Sequence, residues 1–287
     1  MQNPTMERRL SPFRLCVEPP PSASRPNGRG WRLLPYQSPF LALVPVCALA
    51  LACSCRAQGS GLPDAPQPQT AVTVRNTPRH ILSDQAAIWT SPARLRDSNL
   101  AGPTLLVLAT AVLMTTDHQI MSTELPKTTS MTSHAVTASN GLVGGFVAAP
   151  VLFYGLGRIH RDSHATETGI LGGEAMVDSF AVNEVLKLVA QRERPTVDGA
   201  RGRFFQSGAG WDSSFPSSHS VVAWSSAAVL ASEYPSPLAT LGAYGLAAGV
   251  SATRVIGRQH FPSDVFAAAG VGWMIGRYVF HRHSRAE

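Results

Sequence analysis

Beyond residue 98 the chain alternates long apolar runs with short clusters of Gly, Pro and charge, and no stretch holds a strand-like period of two. Six segments read as helices: Ser98 to Thr116, Asn140 to Gly157, Thr168 to Gln191, Ser217 to Ser232, Pro237 to Thr253 and Ser263 to Phe280. The first, second, fourth and fifth carry no Asp, Glu, Lys or Arg, whereas the third carries Glu174, Asp178, Glu184 and Lys187. The pattern predicts an all-α fold, a six-helix bundle over residues 100–283. Residues 58–99 lack periodicity and predict a linker with one or two short helices near 80–90, where Ile88 and Trp89 pack on the core or rest at a membrane interface.

Composition changes the picture mainly at the N-terminus. Residues 1–57 hold Arg8, Arg9, Arg14, Arg25, Arg29, Arg32 and Arg56 against Glu7 and Glu18. The net charge of +6 is therefore mostly a property of this leader, and the remainder is nearly balanced. A polycationic nucleic-acid binder is not indicated. All four cysteines lie in the same region, at 16, 47, 53 and 55, so the body uses neither disulfides nor cysteine metal ligands. Residues 39–53 are apolar between Arg32 and Arg56, which reads as the core of an export signal with a cleavage site after Ala57, in a disordered leader over 1–57.

Three polar clusters interrupt the apolar pattern. Lys187 and Arg194 are spaced to share one helix face, and Pro195 marks where that helix ends. Phe215-Pro216-Ser217-Ser218-His219 opens the fourth segment, so free backbone N–H groups and an imidazole share a helix start suited to an anion. Arg254 and His260 precede Pro262, which pre-sets a helix start and puts Ser263 and Asp264 in its first turn. At that spacing Asp264 takes the ring proton of His260 and frees the other nitrogen to attack. Three cations, a helix N-terminus and two histidines suit transfer of a phosphoryl group through a covalent histidine intermediate.

In this order the clusters resemble the type 2 phosphatidic acid phosphatase superfamily, which includes vanadium haloperoxidases. Its patterns are Lys-x6-Arg-Pro, Pro-Ser-Gly-His and Ser-Arg-x5-His-x3-Asp; here Ser218 replaces the Gly and Thr253 the first Ser. The resemblance implies a bundle of that superfamily's kind, with His260 as nucleophile, Asp264 orienting it and His219 as general acid. Lys187, Arg194, Arg254 and the Ser217 and Ser218 backbone would hold phosphate. It implies a metal-independent phosphatase of lipid phosphates or diphosphates, phosphatidate-like or polyprenyl, with no resident cofactor and with vanadate as an inhibitor. Two alternatives stay open: a haloperoxidase in which vanadate is the cofactor, and a non-catalytic membrane protein binding anionic lipid.

Four uncharged segments approach bilayer length, and glycines such as Gly141, Gly144, Gly145, Gly169, Gly172, Gly173, Gly242, Gly245 and Gly249 suit close packing in lipid. The ionisable groups of the third segment must then face the bundle interior or water. Arg94, Arg96, Arg158, Arg161, Arg282 and Arg285 place their connections on the cytoplasmic side and the site outside, whereas a cleaved signal followed by six crossings would turn it inward. The expected location is the cell envelope, either integral to the membrane or exported and peripheral. Asp117 and His118 read as a cap or interfacial pair rather than metal ligands. His160, His164, His281 and His283 read as exposed, Trp211 and Asp212 as the mouth of the site. Arg192, Arg201 and Arg203 steer anions or are simply solvated.

Overall fold

The computed structural model describes residues 72–91, 101–125, 128–206 and 208–284. The leader and most of the expected linker lie outside the described residues. Within them all regular structure is helical: α1 (Thr77–Thr90), α2 (Ala101–Gln119, extended by a π-helical turn Ile120–Glu124), α3 (Thr129–His160), α4 (Ser163–Ala190), α5 (Ser218–Glu233), α6 (Pro237–Ile256) and α7 (Pro262–His283). Helices α2–α7 correspond to the six expected segments, and α1 to the short helix near 80–90.

The central helix is α5, whose residues from Ser220 through Val229 are all buried. A helix enclosed on every side needs no amphipathic stripe, which explains its run of Ala, Ser and Val, interrupted only by Trp224. Its tightest neighbour is α7. A Cβ at Gly272 would stand 2.4 Å from the Val221 carbonyl oxygen, and one at Gly276 would stand 2.3 Å from that of Ser225. These two glycines let the helices carrying the second and third clusters touch along their backbones. Of the glycines expected at such seams, Gly141, Gly144, Gly145, Gly173, Gly242 and Gly245 face open space, and Gly249 makes only ordinary contact. Gly169 does pack closely, with the Tyr154 nitrogen and the Pro150 carbonyl of α3 inside Cβ distance.

Helix α3 shows the opposite pattern. It is apolar from Gly141 to Gly157 but buries only Ala135, Ser139, Phe146, Pro150 and Gly157 along its length, a single seam. Val147, Val151, Leu152, Leu156 and Ile159 are exposed, as are Leu105, Val107, Leu108 and Val112 on α2. Ala101–Glu124 and Thr129–His160 are the two helices long and apolar enough to cross a membrane among the described residues. Helix α3 starts eleven residues earlier than its apolar run suggests, because Thr129 to Ser139 continue the helix in polar residues.

Of the four charged groups expected on α4, Glu174 and Asp178 are wholly buried, Lys187 nearly so and Glu184 partly. The helix starts at Asp162, whose side chain accepts hydrogen bonds from the His164 and Ala165 N–H groups, and stops at Gln191 in the left-handed conformation. That stop corrects one expectation. Arg194 lies beyond the helix, so it shares no helical face with Lys187, and reaches the site from the following loop.

Candidate active site

The three clusters meet at one end of the bundle because a short strap, residues 212–217, is stitched to both other clusters. The Ser214 N–H donates to the Arg192 carbonyl at 2.8 Å, and the Arg192 N–H to Ser213 Oγ at 3.0 Å. Ser214 Oγ donates to Asp264 Oδ2 at 2.5 Å, and the Ser217 N–H to the Asp264 carbonyl at 3.4 Å. The start of α5 is thus tied to the end of α4 and to the first turn of α7.

His260 is buried, and its Nδ1 lies 2.6 Å from the Ser214 carbonyl. A carbonyl only accepts, so Nδ1 carries the proton and Nε2 keeps its lone pair. The spacing of His260 and Asp264 predicts the carboxylate in that role, and the structure puts the Ser214 carbonyl there. Asp264 Oδ2 stands 3.8 Å from Nδ1. Its oxygens are occupied by the Ser214 hydroxyl, the Phe261 N–H at 2.8 Å and Arg192 Nη1 at 2.5 Å. Asp264 is the third residue of α7, where a carboxylate also meets the positive end of the helix. Burial pushes the His260 imidazole below its ordinary range, opposed by the Asp264 charge.

Arg192 is the residue the sequence misplaces most. It neither steers anions nor sits in solvent. It is buried, with Nη1 bound to Ser263 Oγ and Asp264, Nη2 to Asp117 Oδ2 at 2.8 Å and Nε to the Gly202 carbonyl. The guanidinium also lies over the rings of Phe204 and Phe261. Asp117, from α2, caps α7 by accepting from the Ser263 N–H and hydroxyl. It is a cap, as its place near a helix end suggests, but a cap of another helix. His118 pairs with the Ala200 carbonyl.

Arg254 is a different kind of buried arginine. Its side chain meets Ser139 Oγ at 3.3 Å, its Nε has no partner, and no carboxylate lies within ion-pair distance among the described residues. Burial, then the charge of Arg194, pushes it down to about 10. Lys187 is also lowered, by burial and by Arg194 and Arg254, against the pull of Glu184, whose carboxylate is 3.8 Å away. Arg194 is engaged by Asp212 at 2.8 Å and by the Gln259 carbonyl at 3.2 Å, and Asp212 itself stands in solvent.

His219 occupies the first turn of α5, with Nε2 3.0 Å from Asn140 Oδ1 on α3. Burial first, then the charges of Arg254, His260, Lys187 and Arg194, together push it down to about 4. The residues named from the sequence therefore share one electrostatic neighbourhood. The Ser217 N–H is already taken by Asp264, which leaves the Ser218 and His219 N–H groups at the helix start, while Ser217 Oγ is buried without a partner. Ser218 Oγ donates to Glu184 at 2.9 Å and accepts from Asn183. Thr253 bonds back to the Gly249 and Val250 carbonyls within α6.

Asn140, Ser139, Ser214 and Gln259 are the site neighbours the sequence does not disclose. Among the histidines expected in solvent, His160 and His281 are exposed and His164 is half-exposed beside Glu233, but His283 is covered and bound to Asp84.

Residues 169–287, which hold all three clusters, match the PAP2 superfamily. No curated protein and no solved structure matches the chain. The matched family supports phosphoric ester hydrolysis or the related haloperoxidase-like chemistry.

Proposed function

We propose that the protein is a phosphatase that hydrolyses lipid phosphate or diphosphate monoesters through a phosphohistidine on His260. The observation that carries this reading is the unpaired Arg254 guanidinium, buried beside Lys187 and His219 with an orphaned Nε. A buried cation lacking an anion is costly, and a tetrahedral oxyanion is the partner its planar fork fits. The membrane part of the reading rests on α2 and α3, whose exposed apolar faces suit a substrate delivered from lipid.

The hydrogen bonds support one course of steps. His260 Nε2 forms a bond to phosphorus while the bond to the leaving oxygen breaks, and His219, carried to its cationic form by the bound substrate anion, passes its Nδ1 proton to that oxygen. Asn140 holds His219 Nε2, so Nδ1 is the nitrogen left for substrate. As the His260 ring becomes cationic, the Ser214 carbonyl keeps its Nδ1 proton in place and Asp264 offsets the charge from 3.8 Å. His219 Nδ1 then takes a proton from water, whose oxygen displaces His260 and restores it. Lys187, Arg194, Arg254 and the Ser218 and His219 N–H groups stabilise the equatorial oxygens throughout.

Phosphate release from phosphatidate and from a polyprenyl diphosphate, by the full chain in detergent, tests the reading. His260→Ala should lose at least about 10^4-fold in kcat, as removal of a covalent nucleophile does elsewhere. Hydrolysis by that variant at the wild-type rate would refute the assignment.

A further inference from the structure

A second group of chemistry-bearing side chains lies far from the phosphate site. His80 and Asp84 stand one turn apart on α1, Glu174 and Asp178 one turn apart on α4, and His283 lies in the last turn of α7. Asp264 begins the same helix that His283 ends, about 28 Å away along its axis at 1.5 Å per residue. Asp84, Glu174 and Asp178 are completely buried, and His80 nearly so.

The group is short of positive charge. Asp84 Oδ1, Glu174 Oε2 and Asp178 Oδ2 are buried without a hydrogen bond. Among the described residues Arg282 is the one arginine paired with the group; it reaches Asp84 Oδ1 at 3.3 Å and is partly in solvent. Glu174 and Asp178 each keep an enclosed oxygen with no partner, and Asp84 Oδ1 has only the partly exposed Arg282 beside it, so the group calls for a further cation.

Two imidazoles lie against these carboxylates. His80 Nδ1 lies 3.1 Å from Glu174 Oε1, and His283 Nε2 lies 2.8 Å from Asp84 Oδ2. The two rings stack with centroids 4.2 Å apart. Ligand atoms from His80, Glu174 and His283 all fall within 4.8 Å of one another. Tetrahedral zinc, with bonds of about 2.0–2.1 Å to nitrogen and oxygen, sets neighbouring ligand atoms about 3.3 Å apart and lies in the plane of each ring it binds, so the stacked imidazoles must turn out of their parallel arrangement and the ligand atoms draw together to complete the shell. Two imidazoles favour zinc over calcium or magnesium, which take oxygen ligands.

We propose that His80, Asp84, Glu174 and His283 form a structural zinc site that fastens α1 to α4 and α7. Four protein ligands leave no open position, so the metal holds the fold and takes no part in the reaction. Each His–carboxylate hydrogen bond shares a proton where the metal would sit, and zinc binding releases those protons. Asp178 stands beside the site, held by Gln85 Nε2 at 2.8 Å. The proposal is independent of the phosphatase reading, because its readouts are metal content and thermal stability rather than turnover.

The test uses the purified full chain, dialysed, with zinc measured by elemental analysis and unfolding followed with temperature. Wild type should retain one zinc per chain, and so should His219→Ala, which removes a competing imidazole at the phosphate site. His80→Gln and Glu174→Gln should lose it. Chelation should lower the wild-type Tm by about 5–10 °C, and added zinc should restore it. A wild-type chain that holds no zinc and whose Tm responds to neither chelator nor zinc overturns the proposal. So does zinc retained in full by Glu174→Gln, which keeps the size and shape of the carboxylate. Should His80→Gln fail to fold, the wild-type and Glu174→Gln arms still decide.

Discussion

The two ends of the bundle are electrostatic opposites built on the same helices. At one end α4, α5 and α6 present Lys187, His219 and Arg254, and the guanidinium lacks a counter-ion. At the other, α1 and α4 present Asp84, Glu174 and Asp178, and the carboxylates lack enough cations. Burial acts in contrary directions on them: it pushes His219 down to about 4 and Asp178 up to about 7. Each end resists its own charged form, and a ligand of the opposite sign relieves it. The contrast teaches that buried charge without a partner marks where a ligand belongs, whereas buried charge with every partner present marks architecture.

Arg192 and Arg254 put that distinction inside one site, and the largest effect expected comes from Arg192. Its guanidinium holds Asp264, Asp117 and Ser263 together, so Arg192→Met strands two buried carboxylates. Breaking such a network should cost about 3–5 kcal/mol of stability. Unfolding in urea measures it, and a loss under 1 kcal/mol would show that the pairing is dispensable. Arg254→Ala should do the reverse. It removes a cation that costs stability when no anion is bound, so the apo protein should unfold no earlier than wild type. Its turnover should fall by about 10^2–10^3, the usual cost of losing one donor to a developing oxyanion. Equal damage to stability from both variants would erase the difference between the two arginines.

Most of the architecture is legible in the sequence because the helices are long, apolar and punctuated by Gly and Pro. The meeting of Lys187, Arg194, His219, Arg254 and His260 in one neighbourhood is legible from motif spacing. What escapes has no side-chain signature or depends on distant partners. The acceptor for His260 is the backbone carbonyl of Ser214, which any residue type could supply. Arg192 resembles its solvated neighbours Arg201 and Arg203 until Asp117, on α2, is brought beside it. His283 reads as part of a polar tail, yet α1 covers it with Asp84 and His80. Gln191, with φ 43° and ψ 49°, ends α4 before Arg194, although the spacing alone allows one more helical turn.

A smaller effect sharpens the contrast without removing any residue. With its pKa held near 4, His219 is neutral in the folded apo protein at pH 6, whereas in the unfolded chain it titrates near 6.5. The stability carried by the neutral form is complete above pH 6.5 and is lost as pH falls toward 4. A bound oxyanion cancels the neighbouring cations that hold the imidazole down. Saturating vanadate should therefore raise His219 above about 4 by the share owed to those cations, leaving the larger share owed to burial, and the acid loss of stability should shrink with it. Histidine resonances followed through a pH titration, with and without vanadate, report the shift. An unchanged His219 titration in the vanadate-bound protein would place the anion elsewhere.

The smallest effect belongs to the edge of the cationic end. Asp212 is exposed, yet its carboxylate lies 2.8 Å from Arg194, the proposed phosphate-binding cation nearest solvent. Substrate must compete with that carboxylate for one guanidinium, and Gln259 keeps the side chain placed when Asp212 lets go. An exposed pair of this kind is worth about 0.2–1 kcal/mol, so Asp212→Asn should leave the Tm nearly unchanged. It should lower KM by about 1.5- to 5-fold at low salt with kcat close to wild type, and the gain should fade as salt screens the original pair. A rise in KM would mean that Asp212 positions Arg194 rather than competing with substrate. Either result separates it from Arg254, whose removal acts on kcat because nothing else holds the charge at the centre of the site.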